Sequence, residues 1–79
     1  MVEDRAAPRY RVKKLAWIEH GGDKLACTVR DLSLTGASLE VSDPRTAPET
    51  FTLVIPEDGL KIACRLVRRT EFRIGVKFE

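Results

Sequence analysis

Two arginines near the N-terminus, Arg5 and Arg9, stand four positions apart in the segment RAAPR at residues 5–9. A guanidinium group is a rigid planar fork that matches phosphate oxygens and the acceptor edge of guanine, and its plane can stack on a base. Pro8 disfavours a helix in this segment. The pair is therefore a candidate anion-binding element, and a basic tail that only aids solubility is the alternative.

A second candidate is the segment DLSLTG at residues 31–36. Asp31 and Ser33 alternate with leucines, so along an extended chain their side chains face the same side. A carboxylate accepts hydrogen bonds from the N1–H and N2–H2 groups of guanine, and a hydroxyl donates to a phosphate or base oxygen. Gly36 permits positive φ and a close approach by a ligand or a neighbouring strand. An ordinary hairpin corner is the alternative explanation.

Alternating apolar residues indicate the elements that must position these groups. Apolar side chains recur at every second position, the pattern of half-buried strands, in residues 25–29, 37–41, 51–55, 62–66 and 72–78, and a less regular stretch covers 12–19. Turn residues separate these stretches, and no stretch of about a dozen residues keeps a helical period. The pattern predicts an all-β fold, a six-stranded antiparallel barrel whose closure covers the sheet edges.

A chain of 79 residues provides one domain. Residues 1–11 lack strand periodicity and are predicted to form a flexible basic arm, with residues 12–79 as the barrel. The net charge is only +2, but basic residues are concentrated in this arm and again near the C-terminus. In the second group, strand alternation predicts that Arg65 and Arg69 face solvent and that Arg68 lies near a barrel mouth. That group is either a solvated exterior or a contributor to ligand or partner binding.

The order of the two motifs, RxxxR and then DxSxxG after about twenty residues in a small all-β chain, resembles the PilZ domain. The terminal segment IGVKF at residues 74–78 is similar to that family too. The resemblance implies a six-stranded barrel that binds the bacterial second messenger cyclic di-GMP. It further implies that Arg5 and Arg9 clasp phosphates and guanine edges, that Asp31 and Ser33 hold a guanine, and that Gly36 keeps the turn shape.

The composition of the arm, with many like charges and almost no apolar residues to dock, predicts a mode of action. The arm would close onto the barrel when the ligand binds, and the rearranged face would engage or release a protein partner. Many family members carry another arginine directly before the first motif arginine, where this chain has Asp4. We therefore expect one ligand molecule per site rather than an intercalated pair.

Other functions are weaker alternatives. The single histidine, His20, lies in a Gly-Gly turn, so we expect neither catalysis nor a triad with Ser33 and Asp31. No metal site or cofactor is expected either. A small single-stranded nucleic-acid binder needs exposed aromatic platforms, but Phe51, Phe72 and Phe78 are predicted core residues. Trp17 is predicted to be either a barrel plug or a stacking surface, and no DNA binding is expected.

Two further alternatives concern partners and location. A PilZ-like barrel can act through protein contacts without nucleotide, although retention of both motifs favours nucleotide binding. No apolar run approaches the roughly 20 residues of a membrane helix, and no secretory signal is recognisable, so we expect a cytoplasmic protein without membrane insertion. Cys27 and Cys64, 37 positions apart, occupy apolar strand positions and are predicted to be buried thiols.

Overall fold

The computed structural model describes residues 10–79. Six strands follow one another along the chain: β1 (Tyr10–His20), β2 (Asp23–Leu32), β3 (Gly36–Glu40), β4 (Thr50–Ile55), β5 (Leu60–Arg69) and β6 (Arg73–Phe78). Two short 3-10 turns, Pro44–Thr46 and Pro56–Asp58, flank β4. β1 begins at Tyr10, two residues before the predicted start, so Tyr10 and Arg11 belong to the barrel. The rest of the predicted arm lies outside the described residues.

The six strands close into a barrel in the order β1-β2-β3-β6-β5-β4, and every neighbouring pair is antiparallel. This confirms the predicted fold. Closure depends on a short ladder between β1 and β4, in which Trp17 opposes Val54 and Glu19 opposes Thr52. β1 pairs with β2 along almost its whole length, from Tyr10 opposite Leu32 to His20 opposite Asp23.

The tightest connection is the two-residue turn between β1 and β2. Gly21 and Gly22 have φ values of 58° and 89°, and they join the opposed residues His20 and Asp23. Positive φ at both central residues is what a type I′ hairpin turn requires, and glycine adopts it without steric cost. The Gly-Gly pair read from the sequence as a turn therefore fixes the register of this hairpin.

The barrel interior is filled by the alternating apolar side chains. The largest side chains that are almost completely buried are Ile18, Val29, Leu39, Leu53, Ile55, Cys64 and Ile74. Two predicted inward residues are exposed instead. Phe72, 59% exposed, lies in the turn before β6 begins at Arg73, and Leu25, 40% exposed, lies near the tip of the β1–β2 hairpin. The prediction that Phe72 is a core residue was wrong because alternation was extended past the end of the strand.

Three ladders contain an extra residue on one strand. On β2, Val29 and Asp31 oppose the adjacent residues Leu39 and Ser38 of β3, so Arg30 is a bulge. On β5, Leu66 and Arg68 oppose Val76 and Gly75 of β6, so Val67 is a bulge. A similar shift lies between Arg11 and Lys14 of β1. Each bulge reverses the inward–outward alternation of its strand, and bulges occur often beside functional sites.

Candidate ligand-binding site

The turn between β2 and β3 is organised by the side chain of Ser33. Its hydroxyl oxygen accepts hydrogen bonds from the backbone N–H groups of Thr35, at 3.2 Å, and Gly36, at 3.1 Å. The Ser33 backbone N–H donates to the Gly36 carbonyl at 2.9 Å. Ser33 thus closes the turn through side chain and backbone together, as serine commonly does in local turns. Its own O–H donates to the Gly36 carbonyl at 3.2 Å.

Gly36 begins β3 where this strand meets β6 very closely. A Cβ on Gly36 would overlap the carbonyl oxygen of Val76 and lie 3.5 Å from the Cα of Lys77. The φ of Gly36 is not positive. The glycine is therefore required for the close approach of the two strands and not for a left-handed backbone, which decides between the two reasons offered by the sequence.

Asp31 stands two residues before Ser33, at the end of β2. The bulge at Arg30 turns it away from the interior that strict alternation from Val29 would give it. Its side chain is 19% exposed, and a carboxylate oxygen lies 3.9 Å from a guanidinium nitrogen of Arg73 on β6. The carboxylate is therefore on the outer surface of the barrel beside a cation.

The registers of four ladders place Asp31 in a row that crosses five strands. Directly opposed residues of neighbouring strands share a face of the sheet. This outer row consists, from β1 through β2, β3 and β6 to β5, of Arg11, Asp31, Ser38, Gly75 and Arg68. The next row along the strands points inward. It contains Leu32, Ala37, Val76 and Leu66, which belong to the core or pack against it. The outer row has guanidinium groups at both ends and small residues in its middle.

A groove of about 320 Å³ opens over the middle of the outer row. Its lining includes Ser33 and Gly36 from the β2–β3 turn, Ser38 and Gly75 from the row, and Arg68 from β5. Other hollows of about 400 and 470 Å³ lie along the barrel surface, but neither is lined by Asp31, Ser33 or Gly36. Among these hollows in the described part of the chain, the groove over the row is the one lined by residues of the predicted motif.

The two predicted arginines, Arg5 and Arg9, lie outside the described residues. The structure does describe the residue that follows them. Tyr10 is opposite Leu32, the residue directly before Ser33, and Arg11 is opposite Asp31. The strand that continues from the RxxxR segment therefore pairs with the strand that carries Asp31, at the end of the barrel where the DxSxxG turn lies.

The other basic residues of the C-terminal group have distinct environments. Arg69 donates from Nε to the Pro44 carbonyl, at 3.0 Å, and from Nη2 to the Ala47 carbonyl, at 2.8 Å. Arg65 pairs with Glu79 at 3.0 Å. Arg65 and Arg69 are both exposed, as predicted, and Arg69 in addition anchors the chain between β3 and β4. Strand alternation contained no signal for this role, because the partners are backbone carbonyls distant in sequence.

Trp17 lies on the outer wall of the barrel rather than plugging its interior, since its neighbours Ala16 and Ile18 point inward. Its indole N–H donates to a carboxylate oxygen of Glu19 at 2.9 Å, and the Lys24 ammonium lies 5.3 Å from the ring centre. A cation over an indole face is a favourable surface interaction. The ring is thus engaged by its own strand and by the neighbouring hairpin strand.

The nucleophilic and metal-ligating groups do not assemble into a reactive site in the described residues. His20 and Ser33 lie at opposite ends of β2, which at about 3.3 Å per residue places them roughly 30 Å apart. Within residues 10–79, no group of three His, Cys, Asp or Glu residues could hold a metal ion. The described part also contains no helix long and apolar enough to cross a membrane.

The two cysteines are free, buried thiols, as the sequence predicts. Burial raises the pKa of the Cys27 thiol to about 12 and that of the Cys64 thiol to about 11. Since the thiolate is the reactive form, both groups are chemically quiet near neutral pH. They contribute to packing and not to the candidate site.

Comparison with known proteins agrees with this arrangement. The family model described as PilZ domain matches residues 3–79, almost the entire chain. A search of curated proteins finds no match. The matched region includes both the segment at residues 5–9 and the turn at residues 31–36.

Proposed function

Since this chain belongs to the PilZ domain family, a family of cyclic di-GMP receptors, we propose that it binds cyclic di-GMP over the outer row. The observation that carries this proposal is the pairing of Tyr10 with Leu32. It places the residue that follows the RxxxR segment opposite Leu32 of the DxSxxG segment. This pairing supports the proposal that Arg5 and Arg9 reach the ligand at the end of the barrel where Asp31 and Ser33 lie.

The chemistry of the row suits a cyclic dinucleotide, which has two phosphates and two guanine bases. Arg5 and Arg9 would bind phosphate oxygens and guanine acceptor edges through their planar forks. Asp31, on the outer surface, would accept hydrogen bonds from the N1–H and N2–H2 groups of one guanine. A guanidinium nitrogen of Arg73 lies 3.9 Å from the same carboxylate and adds positive charge on this side of the row.

Ser33 and Gly36 would contribute mainly through the shape of the turn. The Ser33 oxygen already accepts two backbone N–H groups, so Ser33 would serve the ligand by donating its single proton in exchange for the bond to the Gly36 carbonyl. Gly36 lets β3 lie directly against the backbone of β6 beside the turn. Both residues therefore preserve an open groove beside Asp31.

We further propose a receptor or adaptor without catalytic activity. Ligand binding would hold residues 1–9 against the groove, and the altered face would engage or release a protein partner. The energetic cost of ordering a chain segment lowers affinity but links binding to a new surface. Asp4 would place a negative charge beside the ligand phosphates, which disfavours a second ligand molecule.

Titration calorimetry with cyclic di-GMP tests the proposal, with GMP as the ligand control. We expect saturable binding near one ligand per chain, no comparable binding of GMP, and affinity at least tenfold lower for Arg9→Ala. Lys13→Ala is the matched control, because Lys13 is an exposed cation on β1 outside both motifs. This variant should bind within about twofold of the unmodified chain.

The same experiment contains the outcomes that contradict the proposal. If cyclic di-GMP at tens of micromolar produces no heat, the proposal of nucleotide binding is contradicted. The alternative is then a barrel that acts through protein contacts alone. A stoichiometry near two would contradict the role given to Asp4. Equal losses in Arg9→Ala and Lys13→Ala would indicate general charge attraction in place of a defined arginine contact.

A further inference from the structure

The side chain of Arg68 lies along the outer row. It comes from β5, where the bulge at Val67 turns it outward although Cys64 and Leu66 point toward the interior. A Cβ placed on Gly75 would lie 3.6 Å from the Arg68 Cβ, 3.7 Å from Nε and 3.8 Å from Nη2. The Arg68 side chain thus passes over the bare backbone of Gly75 and points along the row toward β3.

Arg68 is the only charged side chain among the described residues that line the groove. The polar side chains near it are the hydroxyls of Ser33 and Ser38, which carry no charge. The floor of the groove beneath the guanidinium is formed by Gly75 and Ser38, the small residues of the row. The groove therefore presents one positive group above a floor that a ligand can approach closely.

Among the described residues, the arginines near Arg68 have polar partners and Arg68 has none. Arg65 pairs with Glu79, Arg69 donates to two backbone carbonyls, and Arg73 lies beside Asp31. Within residues 10–79, Arg68 makes no hydrogen bond or ion pair with another side chain. A guanidinium that is held over a glycine and aimed into a groove without an acidic partner has its donors directed at whatever enters that groove.

We propose that Arg68 is a further ligand-binding residue, which donates hydrogen bonds to a phosphate oxygen of the bound dinucleotide. This inference rests on the proposed function. Three strand spacings of about 4.8 Å separate Asp31 from Arg68, so the two residues stand roughly 14 Å apart across the row. Arg68 holds the ligand from the β5 side, opposite β1, into which the RxxxR segment leads.

Calorimetry on Arg68→Ala, Arg68→Lys and Lys61→Ala tests the inference. Lys61 is the matched control, because it is an exposed cation on the same strand, seven residues and roughly 23 Å from Arg68. We expect Arg68→Ala to raise the Kd for cyclic di-GMP roughly tenfold and Lys61→Ala to leave it within about twofold. Arg68→Lys should recover part of the loss, since an ammonium binds phosphate as a point charge without the planar fork.

Thermal unfolding of each variant separates a lost contact from a damaged fold, and the midpoint should stay unchanged because the Arg68 side chain is exposed. An Arg68→Ala variant that binds like the unmodified chain, while Arg9→Ala is impaired, would overturn this inference and leave the proposed function intact. Equal weakening in Arg68→Ala and Lys61→Ala would also overturn it. An unmodified chain that fails to bind would overturn both proposals.

Discussion

Gly36 and Val76 approach each other so closely that the Val76 carbonyl oxygen occupies the place where a Cβ of Gly36 would lie. The contact joins β3 to β6 directly beside the turn closed by Ser33. The backbone of Val76 cannot move aside as a flexible side chain does. The spacing of β3 and β6 and the shape of the adjoining turn therefore both require that residue 36 has no Cβ.

Gly36→Ala is expected to destabilise the barrel by about 1 to 3 kcal/mol, because β3 must separate from β6 to admit the methyl group. Urea denaturation measures this change. Gly75→Ala is the control on the opposing strand, since its methyl group would make an ordinary contact at 3.6 Å from the Arg68 Cβ. Equal stability of the Gly36→Ala variant and the unmodified chain would show that the strands separate without cost.

Ser33→Ala should lower the free energy of unfolding by about 1 kcal/mol, because the N–H groups of Thr35 and Gly36 lose their shared acceptor. Chemical denaturation gives the stability, and amide exchange of these two residues reports the opened turn. The Thr35 hydroxyl contacts the Ser33 hydroxyl at 3.3 Å and is exposed, so Thr35→Val is a suitable control with little effect. Unchanged exchange in Ser33→Ala would contradict the role assigned to its oxygen.

Arg69→Ala is expected to cost about 1 to 2 kcal/mol of stability and to leave ligand affinity unchanged. The guanidinium bridges the carbonyls of Pro44 and Ala47, and two bonds from one planar group are not reproduced by an ammonium. Arg69→Lys should therefore rescue only part of the loss. Denaturation and calorimetry on the same samples separate this structural arginine from Arg68, for which the opposite result is expected.

The buried thiols predict a loss of stability in alkaline solution. Burial raises the pKa of Cys27 from 9.0 to about 12 and that of Cys64 from 9.0 to about 11. The unfolded chain therefore releases both protons from about pH 9 upward, while the folded chain retains them. Each thiol should lower the free energy of unfolding by about 1.4 kcal/mol per pH unit above pH 9, and its contribution is fully present below that pH.

Urea denaturation under reducing conditions between pH 8 and roughly 10.5 measures this slope. The Cys27→Ala variant carries one thiol fewer and should show a shallower decline, although its stability is lower at every pH. All other titratable groups are the same in both chains, so the difference between the two slopes isolates Cys27. Identical slopes would mean that the Cys27 thiol ionises as readily in the folded state as in the unfolded state.

Strand alternation and turn residues were sufficient to predict the barrel. The turn at Gly21 and Gly22 and the buried positions of Cys27 and Cys64 follow directly from residue type and spacing. Phe72 shows where this reasoning ends, because alternation does not indicate at which residue a strand gives way to a turn. Its aromatic ring continues the apolar period into the turn before β6, where the Phe72 carbonyl still accepts from the Val41 N–H at 3.0 Å.

The outer row could not be predicted, since it depends on bulges. Strict alternation gives Asp31 the orientation of Val29 and gives Arg68 that of Leu66. One extra residue on each strand, Arg30 and Val67, turns both side chains outward. The position of a bulge depends on how the strand pairs with its neighbour, and no repeating pattern of residues in the sequence marks it. The sequence therefore shows the residue types of the motif. The placement of Asp31 and Arg68 in one row follows only from the registers of the strand ladders.

The short ladder between β1 and β4 is the weakest seam of the barrel, because it has the fewest opposed residue pairs. The outer row crosses every strand except β4, and its four ladders do not include the pairs from Trp17 opposite Val54 to Glu19 opposite Thr52. Local opening of a sheet is easiest where the fewest backbone hydrogen bonds must be broken. We therefore expect the barrel to open first between β1 and β4, while the surface bearing Asp31 and Arg68 keeps its strand pairing.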